Sequence, residues 1–597
     1  MKCLEYPFEG EFLLKKKKSL KRELMAQNEN RIVKKIAVLG GSTTREILEM
    51  TELFLLNNGV EPCFYESEYN QYYEEAMFPN EKLDAFAPDV IFIHTSNRNI
   101  SAFPAMTDSK EQVDALLNTQ MDKFTAMWDR LREVYKCPII QNNMELPLYR
   151  LLGNKDGVDF HGKTSFVRRL NQRFADYAAS HDNFYIHDLE YLAASYGMER
   201  FSDPFYWHMY KYCMCVPAIP TFAYSLSNIL KSLFGKNKKG LVLDLDNTLW
   251  GGVIGDDGQE GIEIGPETSM GQVYSEFQSY IKELKQIGVV LAVNSKNDME
   301  NALLGLNVRD TVLTAEDFAC IKANWQPKDR NFAEIAQELS LLPESLVFVD
   351  DNPVEREIVT KQISGVLAPP MEKVEQYAGI LDKAGYFETT TLSADDLKRN
   401  DMYRENAKRM QLQSAFASYE EYLLSLEMKA IIKEFDALSL PRITQLTNKS
   451  NQFNLTTRRY TQKELEEVVA DNSNITLYGR LEDRFGDNGI VSVVCGHEDD
   501  GKAFHIDLWL MSCRVLKRDM ECAMMDMLVE KCKGRGLTAI YGYYYPTAKN
   551  SMVCKFFEER GFVLHQEENG NTVWYLDISG EYKKQNHVIE IKGDKDE

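Results

Sequence analysis

The sequence lacks long apolar runs, and it also lacks the short patterns that mark secreted or disulfide-rich proteins. No stretch approaches the roughly 20 apolar residues of a membrane span. The first residues, MKCLEYPFEGEFLL, include acids and no small-residue cleavage site. The 11 cysteines are scattered, and none belongs to a CxxC pair of the kind that binds zinc. We therefore expect a cytoplasmic protein with reduced thiols and no membrane partner.

Acidic residues outnumber basic residues in the chain. The formal net charge is −22, which excludes general nucleic-acid binding because that requires a basic surface. The hydrophobic fraction of 44% and the aromatic fraction of 11% are ordinary for folded proteins. A chain of 597 residues is too long for one hydrophobic core, so about three or four domains are expected.

The stretch LVLDLDNTLWGGVIGDDG, residues 241–258, places two acids at the end of an apolar run. Residues 241–243 predict a buried parallel strand, and Asp244 and Asp246 follow it. Ligands of an open α/β sheet lie beyond the carboxyl ends of its strands, where both carboxylates would project. Such a pair suits a hard cation and a phosphoryl group. A strand followed by a polar turn explains the same residues, so the downstream sequence has to decide.

Further polar positions follow in an ordered set. Residues 289–293 predict a strand that leads to Ser295, and Lys328 precedes a predicted helix. Residues 346–349 predict another strand, which ends at Asp350 and Asp351. Strands that alternate with helices predict a parallel sheet with right-handed crossovers. The sequence therefore predicts one polar site at the carboxyl edge of that sheet.

This ordered set resembles the signature of the haloacid dehalogenase (HAD) superfamily. The segments DLDNTLWGGVIGDDG, NSKND, QPKDRN and FVDDNPVERE are similar to its FkbH-like branch, subfamily IIIC. The resemblance implies a Rossmann-like HAD core and chemistry through an aspartyl phosphate. The segments between the motifs are short, so no large cap domain is expected.

The resemblance also implies a role for each residue. Asp244 is the expected nucleophile, and Asp246 is the expected general acid and base. Asp351 is favoured over Asp350 for direct contact with the metal. The expected phosphate-binding residues are Ser295, Lys328, Asn247 and Thr248, and the expected Mg²⁺ ligands are Asp244, Asp246 (through its carbonyl oxygen), Asp350 and Asp351.

One position separates two activities within the FkbH-like branch. Members with glyceryl-transferase activity take a phosphorylated glyceryl group, release phosphate and load an acyl carrier protein through a cysteine thioester. Asn294 stands where those members have the cysteine, and an amide cannot form a thioester. We therefore expect a phosphatase or phosphotransferase for a small phosphorylated metabolite, in polysaccharide or natural-product biosynthesis. Glyceryl transfer to an acyl carrier protein is one alternative, and a non-catalytic binding scaffold is another.

The predicted first domain alternates strands and helices, and it resembles the SGNH-type hydrolases. The resemblance consists of the turn Gly40-Gly-Ser42 after the first strand, together with Asp203 and His208. A serine nucleophile needs its base within hydrogen-bond reach. The domain is accordingly either a hydrolase or a scaffold of that fold.

The predicted last domain resembles the GNAT acyltransferases. Strands over residues 489–495 and 504–511 are followed by CRVLKRDME and a helix. Lys517 and Asp519 stand where that family has glycines, and their side chains would obstruct the pyrophosphate of coenzyme A. An amide-rich cluster either binds a polar ligand or forms a structural network, and it consists of Asn448, Asn451, Gln452 and Arg458.

We therefore expect an α/β multidomain chain with a parallel-sheet HAD core between two other domains. The expected order is an SGNH-hydrolase-like α/β domain at 1–236, a capless HAD catalytic domain at 237–388, a helical connector at 389–433, a GNAT-like α+β domain at 434–580 and a flexible tail at 581–597.

Overall fold

The structure, a computed structural model, describes residues 1–27, 31–413, 416, 418–450, 452–499, 501–547 and 549–592. The chain divides into two compact units. The first unit comprises Met1–Lys236 and Glu388–Thr390, and the second comprises Asn237–Phe387 and Thr391–Glu597.

In the first unit, strands alternate with helices as predicted. The strands are β1 (Ile32–Gly40), β2 (Val60–Glu66), β3 (Val90–His94), β4 (Ile139–Asn142) and β5 (Phe184–His187). The helices are α1 (Gly10–Ala26), α2 (Arg45–Asn57), α3 (Tyr72–Met77), α4 (Glu81–Phe86), α5 (Lys110–Tyr135), α6 (Lys163–Ser180), α7 (Leu189–Tyr196), α8 (Met198–Phe201), α9 (Pro204–Tyr210) and α10 (Ile219–Leu233). The strands form a parallel sheet in the order β2-β1-β3-β4-β5.

The sheet of the first unit is covered on both faces. Successive residues of β1 point to opposite faces, and Ile36 and Val38 join one buried cluster while Ala37 and Leu39 join another. A strand buried on both faces has a continuous apolar sequence, which is why IAVL identifies β1 so clearly.

The second unit begins with a smaller parallel sheet. Its strands are β6 (Gly240–Leu243), β7 (Val290–Ser295), β8 (Cys320–Ala323) and β9 (Leu346–Val349), in the order β8-β7-β6-β9. Its helices are α11 (Ile254–Gly261), α12 (Ser269–Gln286), α13 (Met299–Gly305), α14 (Lys328–Glu338), α15 (Pro353–Gln362) and α16 (Tyr377–Lys383). Strand β6 therefore lies between β7 and β9, and the residues after these three strands share one sheet edge.

A helical segment and a large, mainly antiparallel sheet complete the second unit. The helices are α17 (Ala394–Leu397), α18 (Arg399–Gln413), α19 (Tyr419–Ser425), α20 (Leu440–Lys449), α21 (Gln462–Ala470), α22 (Met520–Gly534) and α23 (Phe556–Glu559). The strands are β10 (Met428–Lys433), β11 (Phe453–Asn454), β12 (Asn474–Asp483), β13 (Gly486–Glu498), β14 (Ala503–Met511), β15 (Ala539–Tyr544), β16 (Val563–Glu568), β17 (Asn571–Asp577) and β18 (Ile589–Ile591). The path is β16-β17-β15-β14-β13-β12-β10-β18, and β11 pairs with β14.

The C-terminal segment corrects two predictions. The expected connector at 389–433 is not helical to its end, because β10 lies within it and pairs with β12. The tail from 581 was predicted to be flexible, and this is wrong for its described part, 581–592. Strand β18 pairs in parallel with β10, and the backbone N–H groups of Gln585 and Asn586 donate to Asp526. The single apolar pair of β18 was too short a signal to predict a strand.

Two expectations drawn from missing patterns can be compared with the structure. All 11 cysteines are free thiols. None of the helices over the described residues combines the length and the apolar character needed to cross a membrane.

Candidate active site

Three carboxylates meet at the carboxyl edge of the first sheet of the second unit. Asp244 follows β6 and Asp350 follows β9, and these two strands pair in register at Leu243 and Val349. The backbone N–H of Asp244 donates to the carbonyl of Val349 at 2.9 Å. One carboxylate oxygen from each of Asp244, Asp350 and Asp351 lies within 4.8 Å of the other two.

Lys328 joins this group from the first position of α14. Its Nζ lies 2.9 Å from Asp244 Oδ2 and 2.5 Å from Asp350 Oδ2, and the residue is only 3% exposed. Burial alone would lower the pKa of Lys328, but the charges of the two carboxylates outweigh it, and the pKa is raised. Burial, followed by the charge of Asp244, raises the pKa of Asp350 to about 7. The charges of Asp244, Asp350 and Lys328 therefore strongly affect one another.

The donor set fits a hard divalent cation. Three carboxylates face one ammonium group, and the Oδ1 atom of Asp244 is buried with no hydrogen-bond partner in the described part of the protein. Carboxylate oxygens are the ligands that Mg²⁺ prefers. A buried acceptor without a partner is costly, and a cation would satisfy it.

Asp246 is held by the loop that follows β6. Its Oδ1 accepts from Trp250 Nε1 at 2.9 Å and from the backbone N–H of Ile254 at 3.1 Å. Its Oδ2 accepts from Asn297 Nδ2 at 3.2 Å. Burial, despite these hydrogen bonds, raises the pKa of Asp246. The carboxylate of Asp246 is thus held by the loop and does not belong to the three-carboxylate group.

The other predicted phosphate-binding residues take different positions. The backbone N–H of Asp351 donates to Thr248 Oγ1 at 3.2 Å, so Thr248 fixes the third carboxylate. Asn247 has a positive φ of 55°, and its Oδ1 accepts from the backbone N–H of Gly252. Ser295 is buried at the end of β7, two residues beyond the register partner of Leu243. The structure therefore brings Lys328 and Thr248 to the carboxylates, while the side chain of Asn247 serves the loop.

Sequence reasoning missed two groups that support the acids. Trp250 is fully buried, and its N–H reaches Asp246. Arg356 Nη1 donates to the backbone carbonyls of Asp350 and Asp351 at 2.6 and 2.7 Å. The only signal for the arginine was its position five residues after Asp351, in the first turn of α15.

Asn294 is a buried structural residue. Its Nδ2 donates to the backbone carbonyl of Lys328 at 2.8 Å. The residue at this position therefore links β7 to the start of α14, on which the lysine depends for its place.

The predicted SGNH residues do not form a hydrogen-bonded set. Ser42 Oγ is buried without a hydrogen-bond partner in the described part of the chain. Asp203 accepts from the backbone N–H of Phe205 as the cap of α9, and His208 is exposed on that helix. A buried thiol of the first unit does lie next to a histidine. The Sγ atom of Cys213 is 3.4 Å from Nε2 of His94. Burial lowers the pKa of His94 to about 4 and raises that of Cys213, so neither group is activated.

Two residues of the amide-rich cluster, Asn448 and Arg458, both contact Tyr460. Asn448 Nδ2 donates to the carbonyls of Thr444 and Tyr460, and Arg458 stacks on the Tyr460 ring. Gln452 lines a cavity described below. Asn451 lies outside the described residues.

The turn after β14 bends where glycines were expected. Lys517 and Asp519 have positive φ values of 63° and 59°. The backbone therefore adopts a glycine-like conformation, but it carries two side chains that a close anion contact would have to avoid.

Comparisons with known proteins bear on both units. Residues 35–231 match the family model for the FkbH N-terminal domain. The solved N-terminal part of the protein BF1531 from Bacteroides fragilis, which contains a phosphatase domain complexed with Mg, is 28% identical. That match covers 63% of this chain and 99% of the other, with a TM-score of 0.57. Together they confirm the predicted resemblance to FkbH-like proteins with a HAD-type phosphatase domain, and the α/β fold class.

Two acetyltransferases are also similar in part. The ribosomal-protein-S18-alanine N-acetyltransferase from Escherichia coli is 11% identical over 26% of this chain and 99% of its own, with a TM-score of 0.21. The spermidine N-acetyltransferase from Vibrio cholerae is 17% identical over 25% of this chain and 96% of its own, also at 0.21. These scores are too low to support an inference about activity. No curated protein matches the sequence significantly, and the SGNH resemblance remains a prediction.

Proposed function

We propose that the second unit is a magnesium-dependent phosphatase or phosphotransferase that acts on a small phosphorylated metabolite through an aspartyl phosphate. The observation that carries the proposal is the group formed by the buried Asp244 and Asp350 and the half-buried Asp351, with Lys328 between the first two. The similarity to the magnesium-bound phosphatase domain from Bacteroides fragilis supports it. In this proposal, the domain limits expected from the sequence are kept, except that residues 428–433 and 581–592 are moved to the last domain.

Magnesium would be held by Asp244, Asp350 and Asp351, and it would offset the negative charge of the phosphoryl oxygens. Lys328 and Ser295 would hold the same oxygens from the other side. Thr248 and Arg356 position the Asp350–Asp351 pair through its backbone and side chain.

The first step is attack by a carboxylate oxygen of Asp244 on phosphorus. The new bond joins that oxygen to phosphorus, and the bond from phosphorus to the leaving oxygen breaks. Asp246 gives its proton to the leaving oxygen. Burial raises the pKa of Asp246, which is the direction that a general acid requires.

The second step releases the enzyme. Asp246, now a carboxylate, takes a proton from water, and the water oxygen attacks phosphorus. The bond between phosphorus and Asp244 breaks, so that inorganic phosphate leaves and both acids return to their starting states. With another hydroxyl in place of water, the same residues would perform phosphoryl transfer.

The alternative is FkbH-type transfer of a three-carbon unit to an acyl carrier protein. The match of residues 35–231 to the FkbH N-terminal domain favours it. The buried amide of Asn294, which holds Lys328, counts against it, because no thiol is available at that position. Polysaccharide or natural-product biosynthesis is the pathway context that we propose for either activity.

The decisive experiment measures phosphate release from a panel of sugar phosphates, phosphoglycerates and acyl phosphates with Mg²⁺. Asp244→Asn should lower release by a factor of ~10³ or more, because it removes the nucleophile. Asp246→Asn should lower steady-state release by ~10²–10⁴. It should still give a burst with p-nitrophenyl phosphate, whose leaving group needs little protonation.

Asp256→Asn, a change in the first turn of α11, is the matched control and should retain native release. Equal release by Asp244→Asn and the native protein would overturn the aspartyl-phosphate mechanism. Silence on every substrate, followed by acyl transfer when an acyl carrier protein is added, would favour the alternative.

A further inference from the structure

A cavity lies at the amino-terminal edge of the β8-β7-β6-β9 sheet, opposite the edge that carries the carboxylates. It has a volume of about 80 Å³, and we call it the basal pocket. Its charged and thiol-bearing lining residues are Lys239, Asp396, Arg399, Arg442, Cys513 and Arg514.

The basal pocket is separate from the carboxylate site. Lys239 precedes β6, whereas Asp244 follows it, and at 3.3 Å per residue the two lie roughly 16 Å apart along the strand. Ser345, another lining residue, likewise precedes β9. Of the stretch CRVLKRDME, Cys513 and Arg514 line the pocket, whereas Lys517 and Asp519, which replace the glycines of the acyltransferase turn, do not.

Positive charge exceeds negative charge in this pocket. Four cationic side chains line it, and the one carboxylate is that of Asp396. Asp396 is already engaged, since Oδ1 pairs with Arg399 and Oδ2 accepts from Ser393 Oγ at 2.8 Å and Gln445 Nε2 at 3.1 Å. The carboxylate therefore has little capacity left for the other cations.

Two of these cations have no acid of their own. Arg514 is 8% exposed, and its guanidinium group contacts the neutral Ser512 Oγ and Met402 Sδ. Over the described residues, no carboxylate lies within ion-pair distance of Lys239. Burial, together with nearby Arg399 and Arg514, lowers the pKa of Lys239. Buried cations are costly unless an anion pairs with them.

The size and the donors of the pocket define the missing anion. Space of about 80 Å³ is enough for several water molecules, since one needs ~10–15 Å³. Arginine forks and a lysine ammonium are the usual donors to phosphate oxygens. We propose that the basal pocket binds a phosphate group, either as inorganic phosphate or as the phosphate of a small ester.

The test is calorimetric titration of inorganic phosphate into the metal-free full-length protein, at constant ionic strength with chloride. Lys239→Met and Arg514→Met should each raise the Kd for phosphate at least ~10-fold, the loss expected for a charge-assisted hydrogen bond. If Arg514→Met does not fold, Lys239→Met, which changes a less buried residue, decides alone.

Two controls separate this site from others. Lys549→Met removes a nearby cation that does not line the pocket and is already paired with Glu344, so it should change the Kd by less than ~2-fold. Lys328→Met disables phosphate binding at the carboxylate site and should leave the basal binding event intact.

The proposal fails if native protein does not bind phosphate, if both pocket variants keep the native Kd, or if Lys328→Met abolishes all binding. Titration of glycerol 3-phosphate distinguishes the two sources of the bound phosphate group, inorganic phosphate and a small phosphate ester. A Kd equal to that of inorganic phosphate means that only the phosphate group is recognised, whereas a Kd ~10-fold lower identifies an ester site.

Discussion

At the residue scale, the pKa of Asp246, the proposed general acid and base, depends on the indole of Trp250. Trp250 is buried, and Gly305 allows it to pack, because a Cβ at that glycine would lie 2.6 Å from the ring. The indole N–H then donates to Asp246 Oδ1. A hydrogen bond to a carboxylate favours its charged form, so Trp250 keeps the raised pKa of Asp246 from rising further.

Trp250→Phe tests this dependence. The variant keeps most of the packing and loses the donor, so the pKa of Asp246 should rise. The alkaline limb of the pH–kcat profile should therefore move to higher pH. The value of kcat should fall about 10-fold because the acid is less well positioned.

Trp325→Phe is the matched control, since its indole donates to Asp298 at the surface and the residue is 71% exposed. An unchanged alkaline limb in Trp250→Phe would show that the indole does not set the pKa of Asp246.

The spacing of the motifs was enough to predict the acids but not their supports. Asp244, Asp350 and Lys328 come together because parallel strands end at one edge, and strand periodicity reveals that. The contact from Trp250 requires the loop after β6 to fold back, which depends on the positive φ of Asn247. Such a loop conformation leaves no periodic signal in the sequence.

At the scale of elements, a buried ion network joins α18 to the antiparallel sheet. Asp483 at the end of β12 is fully buried, and it accepts from Arg409 Nη2 at 2.6 Å and from Arg518 Nη1 at 3.1 Å. The helix was predicted to be a solvated connector, whereas Arg409 and Asn406 are buried against the sheet.

Asp483→Asn should destabilise the protein by about 3 kcal/mol, since it leaves the buried guanidinium of Arg518 without a counter-charge and Arg409 with only the partly exposed Glu405 at 3.6 Å. Chemical denaturation followed by the fluorescence of buried tryptophans measures this loss. Asp487→Asn breaks the exposed pair with Arg480 and should cost at most about 1 kcal/mol. Equal losses in the two variants would contradict a dominant role for the buried network.

In the first unit, the segment after β4 contains a buried acid whose protonation is linked to folding. Glu145 is 2% exposed and accepts from the backbone N–H of Asn97 at 3.3 Å. Burial raises its pKa to about 8. Between pH 4.5 and 8 the folded form holds a proton that the unfolded chain has lost, so the stability from this group falls as pH rises through that range.

Glu145→Gln should remove this pH dependence. At pH 9 the variant should melt at least about 5 °C above the native protein, and at pH 5 the difference should be small or reversed. Glu111→Gln, at an exposed position in α5, should follow the native profile. A constant difference in Tm between Glu145→Gln and the native protein across this range would contradict the linkage.

At the scale of the whole molecule, the sequence predicted the parts with continuous apolar strands and missed the weakly patterned ones. Strands β3, β6 and β9 and the second half of β1 are buried and mainly apolar, so their apolar runs are enough to predict them. The sequence did not predict strand β2, because it contains Pro62 and lies at the sheet edge, where only Val60 of its residues is buried. Strand β18 was missed because its pairing with β10 is entirely nonlocal.

The division into two units leads to the last prediction. Every group that positions the carboxylates, from Trp250 to Arg356, belongs to the second unit. A fragment of residues 237–597 should therefore fold and release phosphate within about threefold of the full-length rate, because positioning by contacts within a unit survives the loss of the other. The fragment of residues 1–236 should release none. Circular dichroism establishes folding before the rates are compared. A folded but inactive 237–597 fragment would mean that the first unit, whose residues 35–231 match the FkbH N-terminal domain, takes part in the reaction, which would favour a transferase over a simple phosphatase.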